Sequence, residues 1–256
     1  MSDALARRLG PAGPVSRSRS LRARLALALA WREPERQPLA IALVAALLSA
    51  GAFARIAEDY LTNDPLARWD VSFARWLFDA RSSAGIDVFR VVTLLGSPAV
   101  VLALAAVLCV TLYGRRRLDE AALVVVVLGG AQLLNLGLKL AFHRPRPEVA
   151  LVQLDTYSFP SGHAMIATAA CGVFVYLLWG HLPFRRTRVL VAAGFGAVAA
   201  LIGFSRLYLG VHYVSDVLGG IAAGVTWLSV SIALRLAFAG RLATRRMAVD
   251  RPDQSS

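Results

Sequence analysis

The stretch AALVVVVLGGAQLLNLGLKLAFHRPRP, residues 121–147, decides the fold class of this sequence. Its first 18 residues carry no charged side chain, and its last nine bring one lysine, one histidine, two arginines and two prolines. A run of about 20 apolar residues is long enough to cross a bilayer as a helix. The stretch therefore predicts a transmembrane helix that ends in a basic loop stiffened by proline.

The composition of the whole chain extends this prediction. The 256 residues are 57% hydrophobic and only 17% charged, with a mean hydropathy of +0.58, which argues against an ordinary soluble domain. We predict an all-α fold, a polytopic membrane bundle of six transmembrane helices over residues 39–238. The six apolar windows are 38–57, 91–113, 121–142, 163–182, 189–204 (expected to continue toward residue 208) and 214–238.

The net charge of +12 would suggest nucleic acid as a partner of a soluble protein, but the arginines follow a membrane pattern. They cluster in a tail at 1–38, in two connections near 115–117 and 185–188, and in a tail at 239–256. Because these segments share one side of a six-span chain, the positive-inside rule predicts that both tails are cytoplasmic. The connection at 58–90 is the exception, with four arginines on the other side. We predict a multi-pass protein of the inner or plasma membrane, with no nucleic-acid partner.

With that topology, the ionisable residues near the helix ends converge on the external face. They lie up to 77 positions apart in the sequence, yet each falls where a span ends or begins on that side: Lys139, His163, Arg206, His212 and Asp216. Ionisable side chains at membrane depth are costly and so mark candidate functional sites. The sequence therefore predicts a single polar site on the external face.

The segment SFPSGHA, residues 158–164, places Ser161 and Gly162 just before an apolar helix. Ser161 is a plausible N-cap, and the free N–H groups of a helix start bind anions such as phosphate. An ordinary cap after a turn is the alternative interpretation. The imidazole of His163, next along the chain, favours the anion site.

The segment SRLYLGVHYVSD, residues 205–216, carries His212 and Asp216 four positions apart on one helix face. That spacing lets the carboxylate accept one imidazole N–H, which fixes the tautomer and leaves the other nitrogen free to attack. A hydrogen bond that merely satisfies two polar groups is the alternative. Arg206 matches phosphate with its planar fork, unless it reaches out to lipid headgroups instead.

Lys139 is the chain's one lysine, beside 27 arginines. Its ammonium is a compact charge on a thin stem, which suits a deep, narrow anion site, and Arg146 follows in the loop. The alternative use of His163, His212 and Asp216 is a metal site. The basic side chains around them would repel a cation, so we predict no metal.

Together these residues form three motifs in order: Lys139-x6-Arg146-Pro147, Pro160-Ser161-Gly162-His163 and Ser205-Arg206-x5-His212-x3-Asp216. They resemble the three-part signature of the type 2 phosphatidic acid phosphatases, or lipid phosphate phosphatases, whose superfamily includes vanadium-dependent haloperoxidases and glucose-6-phosphatase. A haloperoxidase is not expected, since those are larger soluble proteins. The motifs cover 139–147, 160–163 and 205–216.

The resemblance implies a phosphatase without metal or other cofactor, acting on a lipid phosphate in the membrane through a phosphohistidine at the external face. Candidate substrates are phosphatidic acid, phosphatidylglycerol phosphate and polyprenyl pyrophosphates such as undecaprenyl pyrophosphate. His212 is implied as nucleophile, Asp216 as its orienting partner and His163 as general acid. The implied phosphate-binding residues are Lys139, Arg146, Ser161, Gly162 and Arg206.

Alternatives stay open for the function and for two surface segments. The same phosphohistidine could serve a phosphotransferase, or the chain could bind or transport anionic lipid without catalysis. Trp69, Phe73 and Trp76 have helical spacing, which predicts an amphipathic helix within 66–90 that either guides lipid to the site or only packs at headgroup level. The arginine-rich N-terminal tail is either disordered or a helix on anionic lipid. Nothing in the sequence indicates an oligomeric state.

Overall fold

The computed structural model describes residues 37–62, 65–152 and 155–249, and every regular element within them is a helix. The helices are α1 (Gln37–Thr62), α2 (Pro65–Asp79), α3 (Ser83–Leu94), α4 (Pro98–Gly114), α5 (Leu118–Phe142), α6 (Gly162–Trp179), α7 (Arg185–Tyr208) and α8 (Val214–Val249). The predicted N-terminal tail, 1–38, therefore lies almost entirely outside the described residues, as does 250–256 of the C-terminal tail.

Six helical segments of the described chain are long and apolar enough to cross a membrane. They are Gln37–Thr62, Ser83–Gly114, Leu118–Phe142, Gly162–Trp179, Arg185–Tyr208 and Val214–Ala239. The prediction of an all-α membrane bundle with six spans is therefore confirmed. The fifth span reaches Tyr208, as expected.

Two helix boundaries differ from the predicted windows. The second span begins at Ser83 rather than at 91, because α3 and α4 together make that span. Asp87 and Arg90 lowered the apparent hydropathy of α3, but they pair with each other at 3.3 Å. α4 restarts at Pro98, a residue suited to the first turn of a helix. At the other end of the chain, α8 continues to Val249.

The amphipathic helix predicted within 66–90 is α2, which ends at Asp79. Its exposed face carries Trp69 and Trp76, which are 50% and 62% exposed. Its buried face carries Ala67, Leu77 and a carboxylate, Asp70. The sequence did not predict a fully buried acid on this helix.

The core lies around α6, which packs against α5, α7 and α8. Gly220 of α8 permits close approach at the start of α6, since a Cβ there would lie 2.5 Å from the Ser161 carbonyl oxygen. Close backbone approach at small residues is a common way for membrane helices to pack. It brings the Ser161 N–H within 2.9 Å of the Asp216 carbonyl oxygen. The packing therefore joins the second and third sequence motifs directly.

Candidate active site

The predicted site residues lie at one end of the bundle, where α5 and α7 end and α6 and α8 begin. Lys139 and Arg206 lie in the last turns of α5 and α7, and Asp216 lies in the first turn of α8. The residues within electrostatic range of His163, at the start of α6, are Arg206, His212, Arg146 and Lys139. The structure thus brings together residues that the sequence spreads over 139–216.

His212 and Asp216 form a buried pair. Nδ1 of His212 lies 3.3 Å from Oδ2 of Asp216, and the two residues are 3% and 0% exposed. The same Oδ2 accepts from the backbone N–H of Tyr213 at 2.8 Å and from the hydroxyl of Ser158. A buried carboxylate is costly unless it is hydrogen-bonded, and this one is fully engaged. The orienting partner of the histidine is held from several directions.

The imidazole of His212 is neutral at neutral pH. Burial lowers its pKa from 6.5 to about 4, although the hydrogen bond and the charge of Asp216 oppose that shift. The nearby cations Arg146 and Arg206 lower the pKa as well. A neutral ring keeps one nitrogen lone pair, which a nucleophile requires.

Arg146 is fixed beside that ring by the loops on either side. Its Nε and Nη2 donate to the carbonyl and hydroxyl oxygens of Thr156, each at 2.8 Å, and its Nη1 donates to the Val211 carbonyl at 2.7 Å. Nη1 also lies 3.3 Å from Nε2 of His212. The guanidinium therefore stands next to the nitrogen that would attack a phosphate.

Within the described part of the chain, the side chains of Lys139 and Arg206 make one hydrogen bond each. The ammonium of Lys139 donates to the Tyr157 carbonyl, and Nη1 of Arg206 donates to Oγ1 of Thr93 at 2.7 Å. Thr93 belongs to α3, and no sequence motif pointed to it. Nε of Arg206 is buried and has no hydrogen-bond partner among the described residues. Since buried polar groups are normally paired, this donor is available to an anion.

Ser161 occupies the N-cap position of α6, as predicted, but its side chain makes no capping hydrogen bond. The N-terminal N–H groups of α6 are therefore not occupied by this hydroxyl. The residue is fully buried, and Oγ has no partner within the described chain. Like Nε of Arg206, this hydroxyl is a donor that a bound phosphate would satisfy.

Gly162 and His163 follow in the first turn of α6. A Cβ at Gly162 would lie 2.8 Å from Oδ1 of Asn135, so a side chain there would displace the helix start. Asn135 in turn donates to the Pro160 carbonyl at 3.3 Å. The described residues offer no hydrogen bond to the ring of His163. That ring is therefore free to act on a ligand.

Two further buried residues, Arg144 and Asp70, support the site, and the sequence motifs did not reveal their role. Arg144 is 4% exposed; its Nη1 donates to Oδ1 of Asp216 at 2.8 Å and its Nη2 to Oδ2 of Asp70 at 2.9 Å. One signal for Asp70 was present in the sequence. It lies between Ala67 and Leu77 at helical spacing, so it occupies the buried stripe of α2.

The chemistry of these groups suits an anion. No cluster of three or more His, Cys, Asp and Glu side chains in the described part of the chain is arranged to hold a metal ion. Arg146 and Arg206 lie within electrostatic range of both His163 and His212, and Lys139 lies within range of His163. Cationic donors with unused hydrogen-bonding capacity match the oxygens of a phosphate.

Comparisons with known proteins agree with this chemistry. Residues 120–238 match the PAP2 superfamily. Phosphatidylglycerophosphatase B of Bacillus subtilis strain 168 is 39% identical over 141 residues, which are 54% of this chain and 70% of that protein. Lipid A 1-phosphatase of Rhizobium johnstonii is 39% identical over 85 residues, 33% of this chain and 30% of that protein. A crystal structure of a transmembrane PAP2-type phosphatidylglycerolphosphate phosphatase from Bacillus subtilis has a TM-score of 0.69 and 32% identity, and covers 77% of this chain and 96% of that one.

Proposed function

Since this chain is a membrane phosphatase that belongs to the PAP2 superfamily, we propose that it hydrolyses the phosphomonoester of a membrane lipid through a phosphohistidine on His212. One observation carries the proposal. His212 is a neutral, buried imidazole hydrogen-bonded to Asp216, and it stands within range of cations at the end of the bundle. Such a ring is poised to attack phosphorus.

In the first step, Nε2 of His212 attacks phosphorus and a P–N bond forms. The P–O bond to the lipid breaks, and His163, which takes up a proton from solvent when the phosphate dianion binds beside it, gives that proton to the departing oxygen. Arg146 leaves Nε2 and donates to a phosphoryl oxygen instead. Asp216 stabilises the positive charge that the phosphorylated ring acquires. The products of this step are the free lipid alcohol and the phosphohistidine.

In the second step, water attacks the phosphohistidine and the P–N bond breaks. His163, now neutral, takes a proton from the water, and inorganic phosphate leaves with His212 neutral again. The phosphoryl oxygens are held throughout by Lys139, Arg146 and Arg206 and by the free hydroxyl of Ser161. Charge stabilisation and positioning supply most of the catalysis in phosphoryl transfer.

For the substrate, the relatives favour phosphatidylglycerol phosphate. The Bacillus subtilis relative, which matches this chain over 70% of its length, is a phosphatidylglycerophosphatase. The solved structure is also that of a phosphatidylglycerolphosphate phosphatase. Phosphatidic acid and a polyprenyl pyrophosphate are the other substrates to compare. The arginine-rich segments support cytoplasmic termini, which would place the site on the periplasmic or extracellular face of the cell membrane.

The test is release of inorganic phosphate by the detergent-purified protein in the presence of EDTA. The three lipids are supplied separately in mixed micelles, and we expect turnover of phosphatidylglycerol phosphate to be the fastest. Release that requires an added divalent cation would contradict the metal-independent mechanism. If labelled phosphate moved to an added lipid or sugar hydroxyl instead, the protein would be a phosphotransferase. Lipid binding without either reaction would make it a binder or transporter.

A further inference from the structure

Asp70 is a fully buried carboxylate on the otherwise apolar buried face of α2. Its Oδ1 accepts from the backbone N–H of Ser215 at 3.0 Å. Its Oδ2 accepts from the Ser215 hydroxyl and from Nη2 of Arg144 at 2.9 Å. Ser215 directly precedes Asp216, so α2 is tied to the helix start that carries the partner of the nucleophile.

Arg144 continues this connection to the site. Its Nη1 donates to Oδ1 of Asp216 at 2.8 Å, and Oδ2 of the same carboxylate faces Nδ1 of His212. The guanidinium also lies over the rings of Tyr60 and Tyr213, with its carbon 4.7 and 4.3 Å from their centroids. These contacts leave Arg144 little freedom to turn toward a substrate. Asp70, Arg144 and Asp216 thus form a buried chain of alternating charge that ends at His212.

We propose that Asp70 is a positioning residue for phosphoryl transfer, which holds Arg144 and Asp216 in place and keeps their combined charge negative. With both carboxylates ionised, the three side chains carry a net charge of −1. The phosphorylated ring of His212 is cationic, so the network and the ring together become neutral. Without the Asp70 charge, Arg144 would cancel Asp216 and the cationic ring would be uncompensated inside the protein. The inference rests on the phosphohistidine mechanism proposed above.

A purely structural role for Asp70 makes a different prediction. A buried ion pair that only ties α2 to the bundle would lower stability when broken, and activity would fall with the folded fraction. A positioning residue instead changes the step in which His212 bonds to phosphorus, with little effect on ground-state binding. The two roles therefore separate in the kinetics of the folded protein.

The experiment compares Asp70→Asn with Asp79→Asn, the same change at an exposed acid of the same helix. We expect Asp70→Asn to lower kcat on phosphatidylglycerol phosphate by about 10- to 100-fold with KM nearly unchanged, and Asp79→Asn to match the wild type. Orthovanadate, which bonds to the histidine as a mimic of the transferring phosphoryl group, should inhibit Asp70→Asn more weakly by a similar factor. Inhibition by inorganic phosphate should not change.

A double variant keeps the test decisive if Asp70→Asn folds poorly. Asp70→Asn with Arg144→Gln removes one buried charge of each sign and leaves Asp216 ionised. We expect the double variant to have a kcat about fivefold or more above that of Arg144→Gln alone, because it restores the net charge of −1. Independent effects of the two changes would overturn the inference.

The outcomes also separate this inference from the proposed function. An active wild type, with Asp70→Asn indistinguishable from Asp79→Asn in kcat and in vanadate inhibition, would overturn only the positioning role. Activity that falls solely in proportion to the folded fraction would do the same. A wild type that releases no phosphate from any of the three lipids would overturn the proposed function, and the positioning role with it.

Discussion

Nη1 of Arg146 lies 3.3 Å from Nε2 of His212, and this contact identifies the tautomer of the ring. A guanidinium has only donors, so Nε2 accepts and the ring proton resides on Nδ1. Nδ1 lies 3.3 Å from Oδ2 of Asp216, in position to donate. The lone pair therefore already occupies Nε2, the nitrogen that faces Arg146. In the proposed mechanism, Arg146 has only to transfer its hydrogen bond from the ring to a phosphoryl oxygen.

Replacing His212 tests the nucleophile. We expect His212→Ala to lower phosphate release by about four orders of magnitude or more, because the proposed covalent intermediate forms on this ring. The control is His181→Ala, which changes an exposed histidine beside Arg117 at the opposite helix ends. Both proteins should elute as folded particles in detergent. Comparable turnover in the two variants would contradict the nucleophilic role.

Replacing Asp216 tests the orienting carboxylate. We expect Asp216→Asn to retain weak activity, about 10²- to 10⁴-fold below the wild type, since the nucleophile remains but its tautomer is poorly held. The unfolding temperature should also fall, because both carboxylate oxygens accept hydrogen bonds and the NH2 group of an amide would face a donor at one of them. Asp87→Asn, at an exposed acid of α3, is the control for both measurements. Full activity in Asp216→Asn would be the contrary result.

The pKa of His212 predicts a pH dependence of stability. The folded-state pKa of about 4 lies below the ordinary 6.5, so the unfolded chain binds a proton that the folded chain does not between these values. The contribution of this residue to the free energy of unfolding is complete above pH 6.5. It falls by about 3 kcal/mol as the pH drops to 4. Thermal unfolding at pH 7 and pH 4.5 measures it. His212→Gln should lose less stability over that interval, and equal losses would argue against the buried neutral ring.

The hydrogen bond between Thr93 and Arg206 predicts a role for α3. Thr93→Val keeps the side-chain shape but removes the acceptor 2.7 Å from Nη1, leaving that buried cation poorly held. We expect kcat/KM to fall by about tenfold. Thr111→Val is the matched control, because that hydroxyl donates to the Val107 carbonyl within its own helix, α4. An equal response of the two threonine variants would show that Arg206 is positioned by other contacts.

The exposed tryptophans of α2 predict a difference between substrates. We expect the double change Trp69→Ser and Trp76→Ser to slow turnover of lipid in vesicles by about tenfold, because the helix would no longer insert at the headgroup level. Turnover of a short-chain, water-soluble phosphate ester should stay unchanged. The control is Tyr113→Ser with Phe184→Ser, two similarly exposed aromatic residues at the opposite helix ends. Unchanged vesicle turnover would show that the two tryptophans do not guide lipid to the site.

The six spans and the convergence of the motifs could be predicted from the sequence. Hydrophobic runs report burial in lipid directly, and helix ends on one side of a membrane must meet there. The start of the second span was misplaced for an equally local reason. Asp87 and Arg90 reduce the hydropathy of α3, and the sequence does not show that they pair.

The supporting residues could not be predicted in the same way. Arg144 and Arg146 stand two positions apart in one loop, and only folding decides that the first turns inward to Asp216 while the second faces His212. The 145-residue separation of Asp70 from Ser215 gives no local signal of their hydrogen bond. Long-range polar contacts depend on the relative placement of helices, which periodicity does not encode.

The ion pair between Asp70 and Arg144 has a consequence for protein engineering. The family match begins at residue 120, and a fragment or graft designed from the three motifs would start near there. In such a fragment, Arg144 would be a buried cation that lacks the carboxylate of Asp70. Arg206 would lack the hydroxyl of Thr93. The smallest portable unit of this active site is therefore the motifs together with α2 and α3. A chimera that exchanges those two helices as a block should outperform one that exchanges the signature alone.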